Sequence, residues 1–344
     1  MSRPESASSV FAPGGFPDEA APAFGKRTQR FRHTLHERAL FTDDGLAHLL
    51  DRYPKDRIGV FTMGDAPGSW RRGRLGDIGG HDLLEAVRSG RVWLNLRGAS
   101  DHDPEIGELN TEIFADLKSR MPGFLPFRTD LGLLISSPNA RVFYHLDTPR
   151  VMLWHLRGEK RVWIYPREEK FVGPQALENV VTRKTEEEIP YREDFDSGGT
   201  AYDLKPGDMV HWPQNAPHRI DNGDCLNVSA SIEFMTPLAL MRANAIHANA
   251  WLRDRFGIES GIESRFALSW LPKFALTRVL KALESRAQPQ ATPLPPSFIL
   301  DQLIGRAVTA SVQREIHTSL PRSSVMRIDQ TWVVRPIASG RASP

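Results

Sequence analysis

Apolar positions along this 344-residue chain change period twice, and the changes divide it into three stretches. In the first, up to about residue 120, short helical stripes alternate with extended runs. Thr42 caps a predicted helix over Asp43–Asp51 that places Leu46, Leu49 and Leu50 on one face. Arg57–Thr62 reads as a strand, and a second helix is expected over His81–Ser89, with Gly90 placed to end it in the left-handed conformation. Arg91–Leu96 reads as another strand. Asp103 and Pro104 form a cap and a first-turn proline, and Leu109, Ile113, Phe114 and Leu117 give the next helix its buried stripe.

From Leu131 the period falls to two. Eight short segments follow in succession: LGLLIS, ARVFYHLD, RVMLWHL, KRVWIY, TAYDL, DMVHW, HRID and CLNVSASIEF. Turn residues separate them at Arg157–Lys160, Lys205–Asp208 and Asp221–Asp224, and Pro206-Gly207 suits a type II turn. Eight such strands predict two packed antiparallel sheets closed as a jelly roll, a mainly β fold with flanking helices. Residues 167–200 form a charged insertion, expected on the surface near the barrel mouth.

After Thr236 the period becomes helical again. Thr236-Pro237 starts a predicted helix with a stripe of Leu238, Met241, Ala245, Ala248, Leu252 and Phe256, ended by Gly257. Pro272 opens another with Leu276, Val279, Leu280 and Leu283. A proline-rich linker spans 287–296, a third amphipathic helix is expected over Phe298–Ile316, and a strand around Val325–Val334. Residues 1–28, rich in Ser, Pro, Gly and Ala, are expected to be disordered. The expected organisation is therefore a disordered start, a catalytic domain over 29–236, helices over 237–286, the linker, and a helix and tail over 297–344.

Composition narrows the function without choosing it. The chain is 40% hydrophobic and 25% charged with a formal net charge of +2, the balance of an ordinary globular protein. Basic residues form no block suited to nucleic acid or an anionic membrane. Cys225 is the only cysteine, so no disulfide forms within the chain. With no apolar leader and no run approaching the ~20 residues of a membrane span, a cytoplasmic location is expected by elimination.

The candidate chemistry lies in the period-two region. His145 and Asp147 are two residues apart, which on one strand aims both side chains to the same face. A third ligand is offered by His218 in DLKPGDMVHWPQNAPHRI. Two histidines and one carboxylate on one side of an ion make the donor set of non-haem Fe(II) oxygenases. Of the other histidines, His155 and His211 read as hydrogen-bonded barrel-wall residues, and none of the rest has ligand spacing. Tyr191 and Arg192 in the charged insertion are possible substrate contacts.

The His145-x-Asp147 pair keeps specific company. Gly158-x-Lys160 places a lysine fifteen residues after His145, Pro206-Gly207-Asp208 follows, and Pro213 precedes His218 by five. This pattern resembles the JmjC and cupin-like Fe(II)- and 2-oxoglutarate-dependent oxygenases over about residues 131–234, most closely the branch containing the asparaginyl hydroxylase of hypoxia-inducible factor. The resemblance implies a double-stranded β-helix with His145, Asp147 and His218 as catalytic iron ligands. It implies Lys160 as the partner of the distal carboxylate of 2-oxoglutarate. Hydroxyl side chains that assist in the family fall at Trp93 and Val142 here, and Val151 replaces a helpful Asn. Trp93 keeps an indole N–H, Arg141 is expected on the face of His145 as a substitute cation, and Ser229 or Ser231 falls near another polar position.

The expected activity is hydroxylation of a protein side chain or a small molecule, with Fe(II) and 2-oxoglutarate as cofactors. The alternative is a cupin-like module that binds a metal or small acid without turnover, favoured by the hydroxyls missing at Trp93 and Val142. The helices after Thr236 are expected to pair two chains as a homodimer, since their stripes lie outside a barrel that fills its own interior.

Overall fold

The computed structural model describes residues 9–62, 66–262, 267–284, 296, 298–302 and 332–336. Strand β1 (Gln29–Arg32) is followed by α1 (Asp43–Arg52), β2 (Gly59–Thr62), β3 (Arg71–Leu75), α2 (Gly80–Ser89), β4 (Val92–Leu96), α3 (Ala99–His102) and α4 (Pro104–Arg120). Then come β5 (Phe127–Ser136), β6 (Arg141–His145), β7 (Arg150–Arg157) and β8 (Lys160–Ile164). Helix α5 (Pro174–Val181) interrupts before β9 (Thr200–Leu204), β10 (Asp208–His211), β11 (His218–Asn222) and β12 (Asn227–Met235). Helices α6 (Pro237–Phe256) and α7 (Leu271–Glu284) and strands β13 (Phe298–Gln302) and β14 (Trp332–Pro336) complete the described chain.

Strands β5 to β12 form the jelly roll. One sheet carries β10-β7-β12-β5 at its centre and the other is β6-β11-β8-β9, so the chain passes back and forth between two facing antiparallel layers. This is the double-stranded β-helix, and its eight strands coincide with the eight period-two segments. The larger sheet extends from β5 through β4, β2, β3, β13 and β14, and β1 adds to the opposite edge beside β10.

Alternation along the strands sorts two cores. Met152, Trp154 and Leu156 of β7 face outward, with Val228, Ala230, Ile232 and Phe234 of β12 and Leu131, Leu133 and Ile135 of β5. That face is covered by α1, α2 and α4 through Leu46, Leu50, Leu83, Ile113 and Leu117. The opposite face of β7, Val151 and Leu153, meets Val162, Ile164, Val210, Trp212 and Ile220 inside the barrel. Local signals hold the elements as expected. The Thr42 hydroxyl accepts from Gly45 N–H, Asp103 from Ile106 N–H and Thr236 from Ala239 N–H, each cap contributing about 1 kcal/mol. Gly257 ends α6 at φ 66° and Gly207 takes φ 91° in the Lys205–Asp208 turn, both left-handed positions that glycine fills without strain.

Several expectations are corrected. Residues 9–28 are not disordered: Val10, Phe11, Phe16 and Phe24 are buried in the outer core, with Phe16 stacked on Phe31 at 4.6 Å and Phe11 at 5.2 Å from Trp154. Irregularly spaced aromatics supply the burial that the Ser/Pro/Gly/Ala composition concealed; residues 1–8 lie outside the described residues. Buried Asp208 fixes the neighbouring strand, taking 2.6 Å and 2.7 Å contacts from Arg30 and Arg32. Burial alone pushes its carboxyl up, but these guanidinium bonds and Lys205 N–H outweigh it and hold it below the usual range. Gly90 ends α2 in an extended conformation, at φ −102°, instead of a left-handed one.

The charged insertion 167–200 is not merely solvated surface. Phe171, Val172, Leu177, Val180, Ile189 and Phe195 pack on Tyr144 and Tyr165 in a third core. On α6 the buried face is Ala239, Arg242, Asn244, Ala245, Ile246, Ala248 and Asn249, while Leu238 and Phe256 of the expected stripe are 50% and 60% exposed. The helix packs on α5 and α7, with Ile246 joining Leu177 and Val180 of α5 in the third core, and its apolar ends stay exposed. Val279 and Leu283 of α7 are likewise exposed. Phe298–Gln302 is a strand paired parallel to β3, not the start of a helix, because Phe298 and Leu300 fill the outer core beside β3. Most of the linker and the remainder of the expected helix to Ile316 lie outside the described residues. The strand expected around Val325–Val334 is described over Trp332–Pro336.

Candidate metal centre

His145 ends β6 and His218 begins β11, and the two are direct partners in the β6–β11 ladder. Facing partners project to one side, so their rings meet inside the barrel with centroids 4.0 Å apart. Asp147 joins them from two residues beyond the end of β6. The expectation that it shares a strand with His145 is corrected, since the backbone leaves the ladder at His145. One Asp147 carboxylate oxygen nevertheless lies 3.3 Å from His218 Nε2. Donor atoms of all three residues fall within 4.8 Å of one another.

The donor set fits a divalent ion. His145 Nδ1 lies 2.8 Å from Phe143 O and His218 Nδ1 lies 3.1 Å from Ala216 O. Each ring is thus oriented by a backbone carbonyl that accepts Nδ1–H, which leaves Nε2 as a lone-pair donor toward the shared point. Burial, reinforced by the neighbouring His145, holds the His218 pKa well below its ordinary value, so the ring is neutral and ready to ligate. Burial raises the Asp147 carboxyl to about 6, with His145 opposing and Glu187 adding to the rise. A cation among the three donors offsets that cost of burying a carboxylate.

Lys160 opens β8 and is 6% exposed. It alternates with Val162 and Ile164 of the interior core, so its stem runs into the barrel. Ile164 is the ladder partner of His218, which sets Lys160 four residues further along, roughly 13 Å between backbones at 3.3 Å per residue. Burial lowers its ammonium to about 7. His155 sits close by as the wall residue the sequence implied, with Nδ1 3.1 Å from Ser229 Oγ and Nε2 2.9 Å from Gly158 O. Burial and then the Lys160 charge lower its pKa to about 3. His211 faces the other way, stacked on Phe24 at 4.2 Å, and takes no part in the centre.

A cavity of about 490 Å3 opens beside His145, lined by Trp93, Asn95, Arg97, Phe61 and Glu187 among others. Trp93 is therefore at the mouth, its ring 5.4 Å from Phe61. Ser231 and Ser229 lie on the inward side of β12, opposite the outward Ala230 and Ile232. Arg141 lines the same cavity as His145, but at its rim and not in the barrel interior. A register shift between His218 and Ile220 pairs Val142 with interior Ile220 and Arg141 with Asp221, as a bulge reverses the facing of every residue beyond it. The Arg141 side chain is 66% exposed and 3.5 Å from Asp221 at the cavity rim. Tyr191 and Arg192 bond to Asp196 and Asp194 of their own insertion.

Some neighbours of the cluster left no usable trace in the sequence. Glu233, on the inward side of β12, is raised to about 7 by burial and then by the Asp147 charge. Arg97 lies 3.6 Å from Glu187, and its charge also interacts with Glu233 and Asp147. Only the inward register of β4, from Trp93 to Asn95 to Arg97, carried a hint of it. The loop residues Gln214 and Asn215 were equally silent, because side-chain bonds to distant backbone have no period.

No family model matches the chain, and no curated protein does. Among solved structures, the YcfD protein of Escherichia coli is similar with a TM-score of 0.44 and 18% identity, covering 80% of this chain and 68% of that one. A structure of YcfD titled a ribosomal oxygenase, in complex with cobalt and 2-oxoglutarate, has a TM-score of 0.44 and 17% identity, covering 79% and 67%. A third, with cobalt and succinic acid, has a TM-score of 0.41 and 18% identity over 80% and 67%. The latter two structures are titled ribosomal oxygenases, and no asparaginyl hydroxylase is among the three.

Proposed function

We propose that this protein is an Fe(II)- and 2-oxoglutarate-dependent oxygenase that hydroxylates a protein side chain or a small molecule. The observation that carries the reading is the pairing, in one barrel, of a two-histidine, one-carboxylate cluster with a buried lysine. His145, Asp147 and His218 would hold the iron on one side, leaving the other side to ligands. The bound iron and 2-oxoglutarate would supply the oxidising chemistry. The chain's own part is orientation and exclusion of water. Lys160 places a charge-assisted donor at the far end of the barrel, where it selects a ligand with a second carboxylate. The apolar walls from Val151, Val162 and Ile220 keep the interior dry, and Trp93 and Glu187 frame the entrance through which a substrate group reaches His145.

The test is succinate release from 2-oxoglutarate by the full chain with Fe(II) and O2, with and without cell extract. Succinate that depends on both metal and O2 supports the oxygenase. Stoichiometric metal binding with no succinate under any of these conditions favours the binding-module alternative instead.

We also propose that two copies associate through the C-terminal helices. Leu238, Phe256, Leu271, Val279 and Leu283 are exposed there, and large exposed apolar groups mark association surfaces. Light scattering at tens of micromolar is expected to give twice the 38.7 kDa chain mass. A monomer at that concentration removes the dimer. No helix among the described residues is long and apolar enough to cross a membrane.

A further inference from the structure

Of the three candidate ligands, Asp147 alone has no ladder to hold it. Its flanking backbone is tied instead by three bonds. Leu146 N–H donates to Glu187 O at 3.2 Å. Asn215 Nδ2–H donates to Asp147 O at 2.8 Å, and Gln214 Nε2–H to Thr148 O at 2.9 Å. The last two come from the loop just before His218. That loop is anchored in turn to α6: Gln214 also donates to Ala239 O at 3.2 Å, and Asn215 Oδ1 accepts from Arg242 Nε–H at 3.2 Å.

Asn215 is 3% exposed and adopts φ 63°. Asparagine is among the few non-glycine residues that enter this left-handed region at modest cost. Its carboxamide has only one orientation that works, since Asp147 O needs a donor and Arg242 Nε–H needs an acceptor. Residue 215 therefore requires a particular backbone conformation and a particular polar side chain at once. Its next neighbour, Ala216, supplies the carbonyl that orients His218.

Resting on the metal-centre reading above, we propose that Asn215 is the positioning residue of the centre. It carries the placement of the rigid helix α6, through Arg242, to the one ligand that the sheet does not place. It touches neither metal nor substrate. Its loss lets the Asp147 segment shift, so the three donors no longer converge, while the two histidines keep their ladder partners.

The experiment uses the full chain and Co(II) alone as probe, read by calorimetric affinity and by the visible absorption of the bound ion. Asn215→Asp keeps an acceptor for Arg242 but sets an oxygen against Asp147 O; Asn215→Gly keeps the left-handed backbone and removes the carboxamide. Both are expected to weaken Co(II) binding on the order of 10–100-fold, the usual effect of losing a group that orients a ligand, and to alter the spectrum. Asn249→Ala removes another buried carboxamide of α6, bonded to Ser260 O, and is expected to leave affinity and spectrum unchanged. Thermal midpoints without metal accompany each variant. Parent-like affinity and spectrum in both Asn215 variants overturn the proposal while leaving the metal centre intact. Failure of both to fold without metal also overturns it, making Asn215 a folding residue. If the parent itself binds no Co(II), the metal-centre reading falls, and this assignment with it.

Discussion

Replacing His218 by alanine is expected to abolish Co(II) or Mn(II) binding in the working range. The remaining His145 and Asp147 make a two-donor site, and pairs of that kind hold labile divalent ions only weakly. Among the described residues the ligand cluster contains only these three, and His218 is buried at the start of β11. The loss should exceed the 10–100-fold that follows removal of a group merely orienting a ligand. A thermal scan gives the second readout. Metal at a thousand times its dissociation constant stabilises the parent by about 4 kcal/mol, whereas the variant's midpoint should not respond. Equal Co(II) affinity in the parent and in His218→Ala would falsify the three-ligand assignment.

Lys160→Ala is expected to weaken 2-oxoglutarate binding on the order of ten- to a hundredfold while sparing the metal. A hydrogen bond to a charged group is worth about 1.5–3 kcal/mol, which converts to that range. The lysine acts from the far end of the barrel, so the ligand atoms keep their geometry. Its dependence on pH distinguishes it from other cations. Burial depresses the ammonium to about 7, so the charge is present below that pH and lost above it. Parent affinity for the diacid should therefore fall as pH rises past about 7, approaching tenfold per unit, with a proton taken up on binding. Lys160→Arg, charged throughout, and Lys160→Ala, charged nowhere, should both lose this slope. Calorimetry in two buffers of different ionisation enthalpy measures the proton directly. An unaltered slope in Lys160→Ala would move the role to another cation. Arg141 is poorly placed for it, being paired with Asp221 at the rim.

Much of this architecture was legible in the chain. The eight jelly-roll strands follow from period-two alternation and from turn residues such as Pro206-Gly207, whose φ requirement is local. Thr42, Asp103, Thr236 and Gly257 marked helix ends because capping is satisfied within three or four residues. The three candidate donors were nominated by the His145-x-Asp147 spacing and by the histidine that follows Pro213, and Lys160 by the family resemblance alone; the period-two argument for Asp147 did not hold, because β6 ends at His145.

What the chain concealed depends on partners far away in sequence. The phenylalanines of residues 9–28 have no period, yet they cover the outer face of β7 and β10. Phe298 and Leu300 are compatible with either a helix or a strand, and only the open edge of β3 selects the strand. On α6 the expected stripe holds in the middle, at Ala245 and Ala248, but Leu238 and Phe256 at its ends are exposed and Arg242 is buried, because α5 and α7, not a generic core, define the covered side. One register shift set Arg141 beside Asp221 at the cavity rim, and the end of β6 left Asp147 outside the ladder. Periodicity reports a residue's relation to its near neighbours alone. The segment carrying Asp147 is held by bonds from Gln214 and Asn215, nearly seventy residues away, and by Glu187 O, which exist only once the sheets have closed.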